Sequence, residues 1–132
     1  MAALRTIRVV AAVIEQDGRY LLTQRRPSAV LPLLWEFPGG RVEDGETDAA
    51  ALKREVSFRL GVEIEPAKLI SFVSHPYERY AVDLHLYECR LSAGEPKAMN
   101  VNAFRWVYSK DFDQFAFTPA DELSMAKLLG LG

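Results

Sequence analysis

Between Trp35 and Val62 the chain reads WEFPGGRVEDGETDAAALKREVSFRLGV, and most of its candidate chemistry is concentrated there. Arg54 and Glu55 stand side by side, Arg59 follows, and Glu43 and Glu46 precede them in an acidic loop. A guanidinium offers a planar fork of donors that suits phosphate oxygens, so Arg59 is a candidate for pairing with phosphate directly. Arg25, after an earlier apolar run, could reach a phosphate or a base. Gly39-Gly40 lets the backbone turn tightly and brings its carbonyls close to whatever sits in the loop. Each of these has a plainer reading. Arg54 and Glu55 suit an ordinary helix surface, Arg25 a solvated strand end, and Arg59 a cation favoured by a nearby helix C-terminus.

Those groups need a helix to place them, and the sequence predicts one. Thr47 is a suitable N-cap, Asp48 suits the positive end, and Ala49, Ala50, Ala51 and Leu52 are strong helix formers. Gly61 stops the helix as the residue after its C-cap. At helical spacing Ala49, Leu52, Val56 and Leu60 form one apolar stripe that must face a core, with Arg54 and Glu55 outside it. Phe58 falls nearly opposite that stripe at about 100° per residue. An outward Phe beside a cleft is a contact residue for a base or a protein partner.

From Gly40 onward the spacing resembles the Nudix box, G-x5-E-x7-R-E-U-x-E-E-x-G-U with U aliphatic. Gly40, Glu46, Arg54, Glu55, Val56, Gly61 and Val62 stand where that pattern asks, while Phe58 and Arg59 replace its two adjacent glutamates. In the family three glutamates at i, i+3 and i+4 share a helix face and hold Mg²⁺ or Mn²⁺, and the metal activates a water for attack at phosphorus. The resemblance implies that Glu55, Arg54 and Glu46 are catalytic, and that Gly40 and Glu55 hold the metal. With Glu55 at -1 and Arg59 at +1, the trio here sums to zero where the family pattern sums to -3. Mg²⁺ is therefore expected to bind weakly or not at all; Glu36, Glu43 or Glu46 could partly replace the lost ligands, although none has the right helical position. LLTQRR, LWEFPGG and FTPADELSMAKL look like the MutT-like branch, whose base reader falls on Asp121. An Asp there accepts hydrogen bonds and would favour an exocyclic amine, although it suits helix capping equally. The branch also places an acidic residue before the Trp106 strand, where this chain has Asn100-Val101-Asn102. Substrate contacts are expected at Arg25, Phe37, Gly39, Gly40, Phe58, Arg59 and Asp121. Trp35, Phe37, Tyr77 and Tyr80 suit base stacking or a core.

The remaining elements follow from pattern. Strands are expected over 6–14 and 20–24, joined at Asp17-Gly18, then over 62–64 until Pro66 breaks it, and over 69–74, 81–90 and 104–108. Thr118 caps a last helix with Pro119 at its first position, and Leu123, Ala126, Leu128 and Leu129 are its apolar positions. That order implies an α/β protein with helices on a mixed sheet, and the resemblance implies an α/β/α sandwich in one domain over 1–132. A chain of 132 residues can bury a real core, and a net charge of -2 gives no field for a nucleic-acid polymer. A single cysteine excludes an internal disulfide, and the apolar run at 9–14 is too short to cross a membrane, so the chain reads as cytoplasmic. His75 and His85 have no metal-ligand spacing. Two readings emerge: a Nudix-fold protein that recognises a nucleotide or a protein partner at the Phe58 face, its pyrophosphohydrolase activity impaired or lost and no cofactor needed, or an active Mg²⁺-dependent hydrolase splitting a nucleoside triphosphate into monophosphate and pyrophosphate.

Overall fold

A computed structural model describes residues 5–128, the side chains of 127 and 128 excepted. Strand β1 (Arg5–Gln16) is the axis of the sheet, because three other strands bond to it. It pairs in parallel with β6 (Tyr80–Ala93) and antiparallel with β4 (Gly39–Arg41), and at its far end it turns back into β2 (Arg19–Gln24). The turn has positive φ at both Asp17 (53°) and Gly18 (79°), as a two-residue hairpin of the right-handed twist requires. Strand β2 carries β3 (Trp35–Glu36) and β7 (Ala103–Tyr108), and β5 (Glu63–Pro76) closes the other edge beside β6.

The unbroken apolar run in β1 is explained by burial on both faces. Val10, Ala12 and Ile14 enter one core with Ala51, Leu52, Val56 and Leu60 of helix α1 (Asp48–Leu60). Ala11 and Val13 enter a second core with Phe37, Phe112 and with Ala120 and Met125 of helix α2 (Pro119–Leu128). The two helices thus cover opposite faces, and the α/β/α sandwich is what the chain forms. Among the described residues no helix is long and apolar enough to cross a membrane.

Helix α1 begins and ends as its capping residues dictate. Thr47 Oγ1 accepts from Ala50 N–H at 3.1 Å, and Gly61 has the left-handed φ of 69°. Arg8 clamps the first turn to β1 through Asp48, at 2.8 and 2.7 Å, and the Tyr87 hydroxyl donates to the same carboxylate. The Arg8 guanidinium holds the Asp48 carboxyl below the usual range.

Several expectations need correction. Gly39-Gly40 is not a tight turn but strand β4, and neither residue has positive φ. Pro66 does not end a strand: β5 runs through it, because β5 is an edge strand and absorbs the proline at a register irregularity between Pro66 and Leu69. On α1 the buried alanine is Ala51, whereas Ala49, in the exposed first turn, faces solvent. On α2 the buried face is Ala120, Asp121, Ser124 and Met125, and Leu123 is 45% exposed, so capping and polar positions occupy the core side. Leu129 lies outside the described residues, as does the side chain of Leu128.

Glycine is required in β4 by proximity. A Cβ on Gly39 would lie 2.0 Å from the Val10 carbonyl oxygen, which is backbone and cannot swing away. Gly39→Ala is therefore expected to cost about 3 kcal/mol in urea unfolding, the upper range of overpacking. Phe58, 56% exposed, gives the contrast: Phe58→Ala should change stability by no more than about 0.5 kcal/mol. A Gly39→Ala protein as stable as the wild type would contradict the fit of β4 against β1.

Candidate functional site

Two arrangements bear the candidate residues, and Gly40 joins them. The first is a chain of charges from the acidic loop to the end of α1. The backbone N–H of Glu43 donates to Glu46 Oε1 at 3.0 Å, which folds the loop back on itself. Arg54 then grips Glu46 with Nε at 2.7 Å and Nη2 at 2.8 Å, and Nη2 also bonds the Arg41 carbonyl at 2.9 Å. Its remaining nitrogen, Nη1, donates to Glu55 Oε1. The Arg54 bonds, with that from Glu43 N–H, hold the Glu46 carboxyl down to about 2. Arg54 therefore orients two carboxylates at once. Glu55 Oε2 accepts from Arg59 Nε at 3.1 Å, so both oxygens of Glu55 are occupied by guanidinium groups.

The second arrangement is a cavity of about 400 Å³ at the start of α2, to which α1 contributes Arg59. Strands β1 and β6 supply its apolar lining, including Val9, Ala11, Val82 and Leu84. Tyr77 and Tyr80 add aromatic surface and stack on one another, with ring centroids 5.4 Å apart and planes 29° from parallel. Arg25, Arg41 and Arg59 supply positive charge, and Glu36 and Asp121 supply carboxyl groups. Arg25 is already committed, since Nη1 lies 3.3 Å from both Glu36 oxygens and Nε bonds the Val30 carbonyl at 2.6 Å.

Asp121 is the buried end of the cavity. Phe37 N–H donates to its Oδ1 at 3.0 Å and the Thr118 hydroxyl to its Oδ2 at 2.6 Å. Thr118 also caps α2, so Asp121 ties the helix start to the link between β3 and β4. Burial pushes its carboxyl up to about 7, with Glu36 adding to the shift. Burial raises Glu36 as well, against the pull of Arg25.

The sequence-derived candidates divide accordingly. Arg25, Phe37, Gly39, Gly40, Arg59 and Asp121 all meet at the cavity. Glu46, Arg54 and Glu55 lie outside its lining, in the charge chain, and Gly40 touches both, because a Cβ there would sit 2.1 Å from Glu55 Oε2. Phe58 does not reach the cavity; it is exposed, as is Met99 at 58%. Trp35 packs edge-on to Phe115 at 5.0 Å and belongs to the core. Asn100 completes the end of α1, where its Nδ2 donates to the Phe58 carbonyl at 2.7 Å and its N–H to the Arg59 carbonyl at 3.1 Å. Sequence reasoning missed Arg41 as a cavity cation and the β1/β6 lining. Arg41 directly follows Gly40, but its place emerges only once β4 is known to be a strand.

The donor set does not fit the divalent ion that the resemblance implies. Each Glu55 oxygen already accepts from a guanidinium, and a metal there would meet Arg54 and Arg59 as like charges. Among the described residues no three His, Cys, Asp or Glu side chains come together in a way that could hold a metal ion.

A family model described as "NUDIX domain" matches residues 9–127. The CTP pyrophosphohydrolase of Escherichia coli strain K12 is 33% identical over 118 residues, covering 89% of this chain and 87% of that protein. The 8-oxo-dGTP diphosphatase of Haemophilus influenzae is 31% identical over 126 residues, covering 95% and 93%. A solved MutT NUDIX hydrolase from Burkholderia pseudomallei has a TM-score of 0.84 at 27% identity, covering 94% of this chain and 98% of that one.

The raised Asp121 carboxyl gives a pH test. Unfolded, this group titrates at about 4; folded, it is pushed up to about 7. The folded state holds the proton more tightly, so its advantage is complete below the unfolded value and is lost as pH rises through the folded one. Relative to Asp121→Asn, the wild type should lose stability between about pH 4 and about pH 7 and level off above. Paired urea titrations read this directly, and a stability difference that does not vary with pH would refute it.

Proposed function

The chain belongs to the NUDIX domain family and is MutT-like, and on that footing we propose that its cavity binds a nucleoside phosphate while metal-dependent cleavage is impaired or lost. The cavity's chemistry supports the first half. The stacked Tyr77–Tyr80 pair and the apolar lining suit a base, Asp121 and Glu36 suit its polar edge, and the arginines suit the phosphates. Base size and hydrogen bonding at Asp121 would then set which nucleotide is taken.

One observation carries the second half: both oxygens of Glu55 accept hydrogen bonds from guanidinium groups. With Phe58 exposed and uncharged beside it, α1 offers no second carboxylate on that face. A metal would have to displace Arg59 before it could polarise a phosphate.

The relatives favour a different second half. They are named for pyrophosphohydrolase and diphosphatase activities, and this supports an active hydrolase that splits a nucleoside triphosphate into monophosphate and pyrophosphate, with Mg²⁺, more than it supports an impaired one. The two readings share the nucleotide and differ in turnover.

A screen of nucleoside triphosphates that includes CTP and 8-oxo-dGTP separates them, read by thermal shift and by pyrophosphate release with Mg²⁺ or Mn²⁺. We expect at least one nucleotide to raise the melting temperature with little or no release by the wild type. The double change Phe58→Glu, Arg59→Glu replaces two solvent-accessible side chains on the face away from the core, so the fold should tolerate it. It should gain Mg²⁺-dependent release. Asn100 is best left in place, because a carboxylate there could not donate to the Phe58 carbonyl. If no nucleotide shifts the melting temperature, the binding reading fails. Wild-type turnover that the double change does not improve would establish the active hydrolase instead.

A further inference from the structure

We propose that Arg59 takes the place of a divalent cation, so that the cavity captures a phosphate group on a guanidinium and needs no metal to do so. This rests on the nucleoside-phosphate reading above and specifies how the charged end of that ligand is held.

Three observations converge on Arg59. First, it lines the cavity whereas Glu55, its ion-pair partner, does not. A ligand in the cavity therefore meets the cation of the pair and not the carboxylate. Second, the only hydrogen bond from the Arg59 side chain among the described residues uses Nε, toward Glu55 Oε2. Its terminal nitrogens keep four N–H donors for which the protein supplies no partner there, enough for a bidentate grip on phosphate oxygens. Third, the group is held in advance. Its carbonyl accepts from the N–H groups of Met99 and Asn100, both at 3.1 Å, and its side chain is anchored at Glu55, which Arg54 fixes from the other side. Little orienting entropy remains to be lost when an anion arrives.

The charge balance points the same way. Glu46, Arg54, Glu55 and Arg59 together carry no net charge, and the hydrogen bonds to Glu46 first and Glu55 second raise the Arg54 pKa. Of the other cavity arginines, Arg25 holds Glu36 with Nη1 and the Val30 carbonyl with Nε, which leaves it fewer free donors than Arg59, while Arg41 has no side-chain hydrogen bond among the described residues. The end of α1 carries about half a negative charge, which opposes an anion. Here its carbonyls are met by the N–H groups of Lys97, Met99 and Asn100 and by Asn100 Nδ2. Arg41 and Arg59 line the cavity beside that end, and Glu36, the carboxyl near Arg59, is paired with Arg25. A divalent ion would meet these arginines as like charges, and the cavity carboxyls already accept hydrogen bonds, Glu36 from Arg25 and Asp121 from Phe37 N–H and Thr118.

The test is calorimetric titration of the full chain with inorganic tripolyphosphate, with each nucleotide that raises the melting temperature, and with the matching unphosphorylated nucleosides. Each is run in EDTA and in excess Mg²⁺. The wild-type Kd for the phosphorylated ligands should agree within about threefold between EDTA and Mg²⁺. Arg59→Gln, which keeps an N–H donor for Glu55 but loses the charge and the fork, should weaken those ligands by about tenfold or more and leave the nucleosides unchanged. Arg59→Lys, retaining charge alone, should fall between. Each variant is first checked for wild-type melting in the absence of ligand. Binding that appears only with Mg²⁺, or that survives Arg59→Gln undiminished, overturns the proposal while leaving nucleotide binding intact. Tripolyphosphate bound through Arg59 with no response to any nucleotide or nucleoside keeps the anion site and removes the nucleotide reading. No heat from any phosphorylated ligand removes both.

Discussion

At positions 39 and 40 a single methyl group would not fit, and the distances in the site follow from that. Gly39 lets β4 lie against β1 with no room for a Cβ beside the Val10 carbonyl, and Gly40 lets the same strand touch Glu55 of α1. One short strand is thereby held against the sheet and a helix together. Its neighbours inherit the placement: Phe37 drops into the core, where it packs edge-on to Phe112 at 6.4 Å, and Arg41 presents its carbonyl to Arg54 and lines the cavity.

The charges around that strand are arranged in series. Glu43, Glu46, Arg54, Glu55 and Arg59 run from the acidic loop to the end of α1, each tied to the next. Partly exposed pairs of this kind add little to stability individually. Their consequence here is positional: the carboxylate that its spacing marks as chemically active is enclosed between guanidiniums, and the cavity is left with the terminal cation. Replacing an acidic residue by Arg59 thus changes the sign of what a ligand encounters without disturbing the helix.

The opposite end of the cavity is polar for a structural reason. Asp121 accepts from Phe37 N–H and from Thr118, so a carboxyl group buried beneath α2 joins helix to strand. Thr118 N–H in turn bonds the Trp35 carbonyl at 3.0 Å, and Trp35 N–H the Ala116 carbonyl at 2.8 Å. Helix entry, β3 and cavity wall form one connected unit. Capping and ligand recognition, alternatives for Asp121 by sequence, are compatible in space because the capped carboxyl also lines the cavity.

What could be read from the sequence were features set by local chemistry. Thr47 and Gly61 bound α1, Asp17-Gly18 closes the first hairpin, and the Thr118-Pro119 pair starts α2, because each acts on backbone groups within a few residues. The outward position of Phe58 was equally legible, since helical spacing alone separates it from the Leu52, Val56 and Leu60 stripe. The displaced pattern at Phe58 and Arg59 was visible as well, because it is a matter of residue type. What only the tertiary structure decided depends on segments far apart in the chain. Gly39 and Gly40 look like a turn until Val10 and Glu55 are brought against them, and Pro66 looks like a strand end until β5 proves to be an edge. Arg41 joins the cavity, and Asn100 becomes a helix cap, for the same reason. Caps and turns are satisfied within one stretch of backbone, whereas close approach and burial are properties of pairs of segments, and their partners appear only on folding.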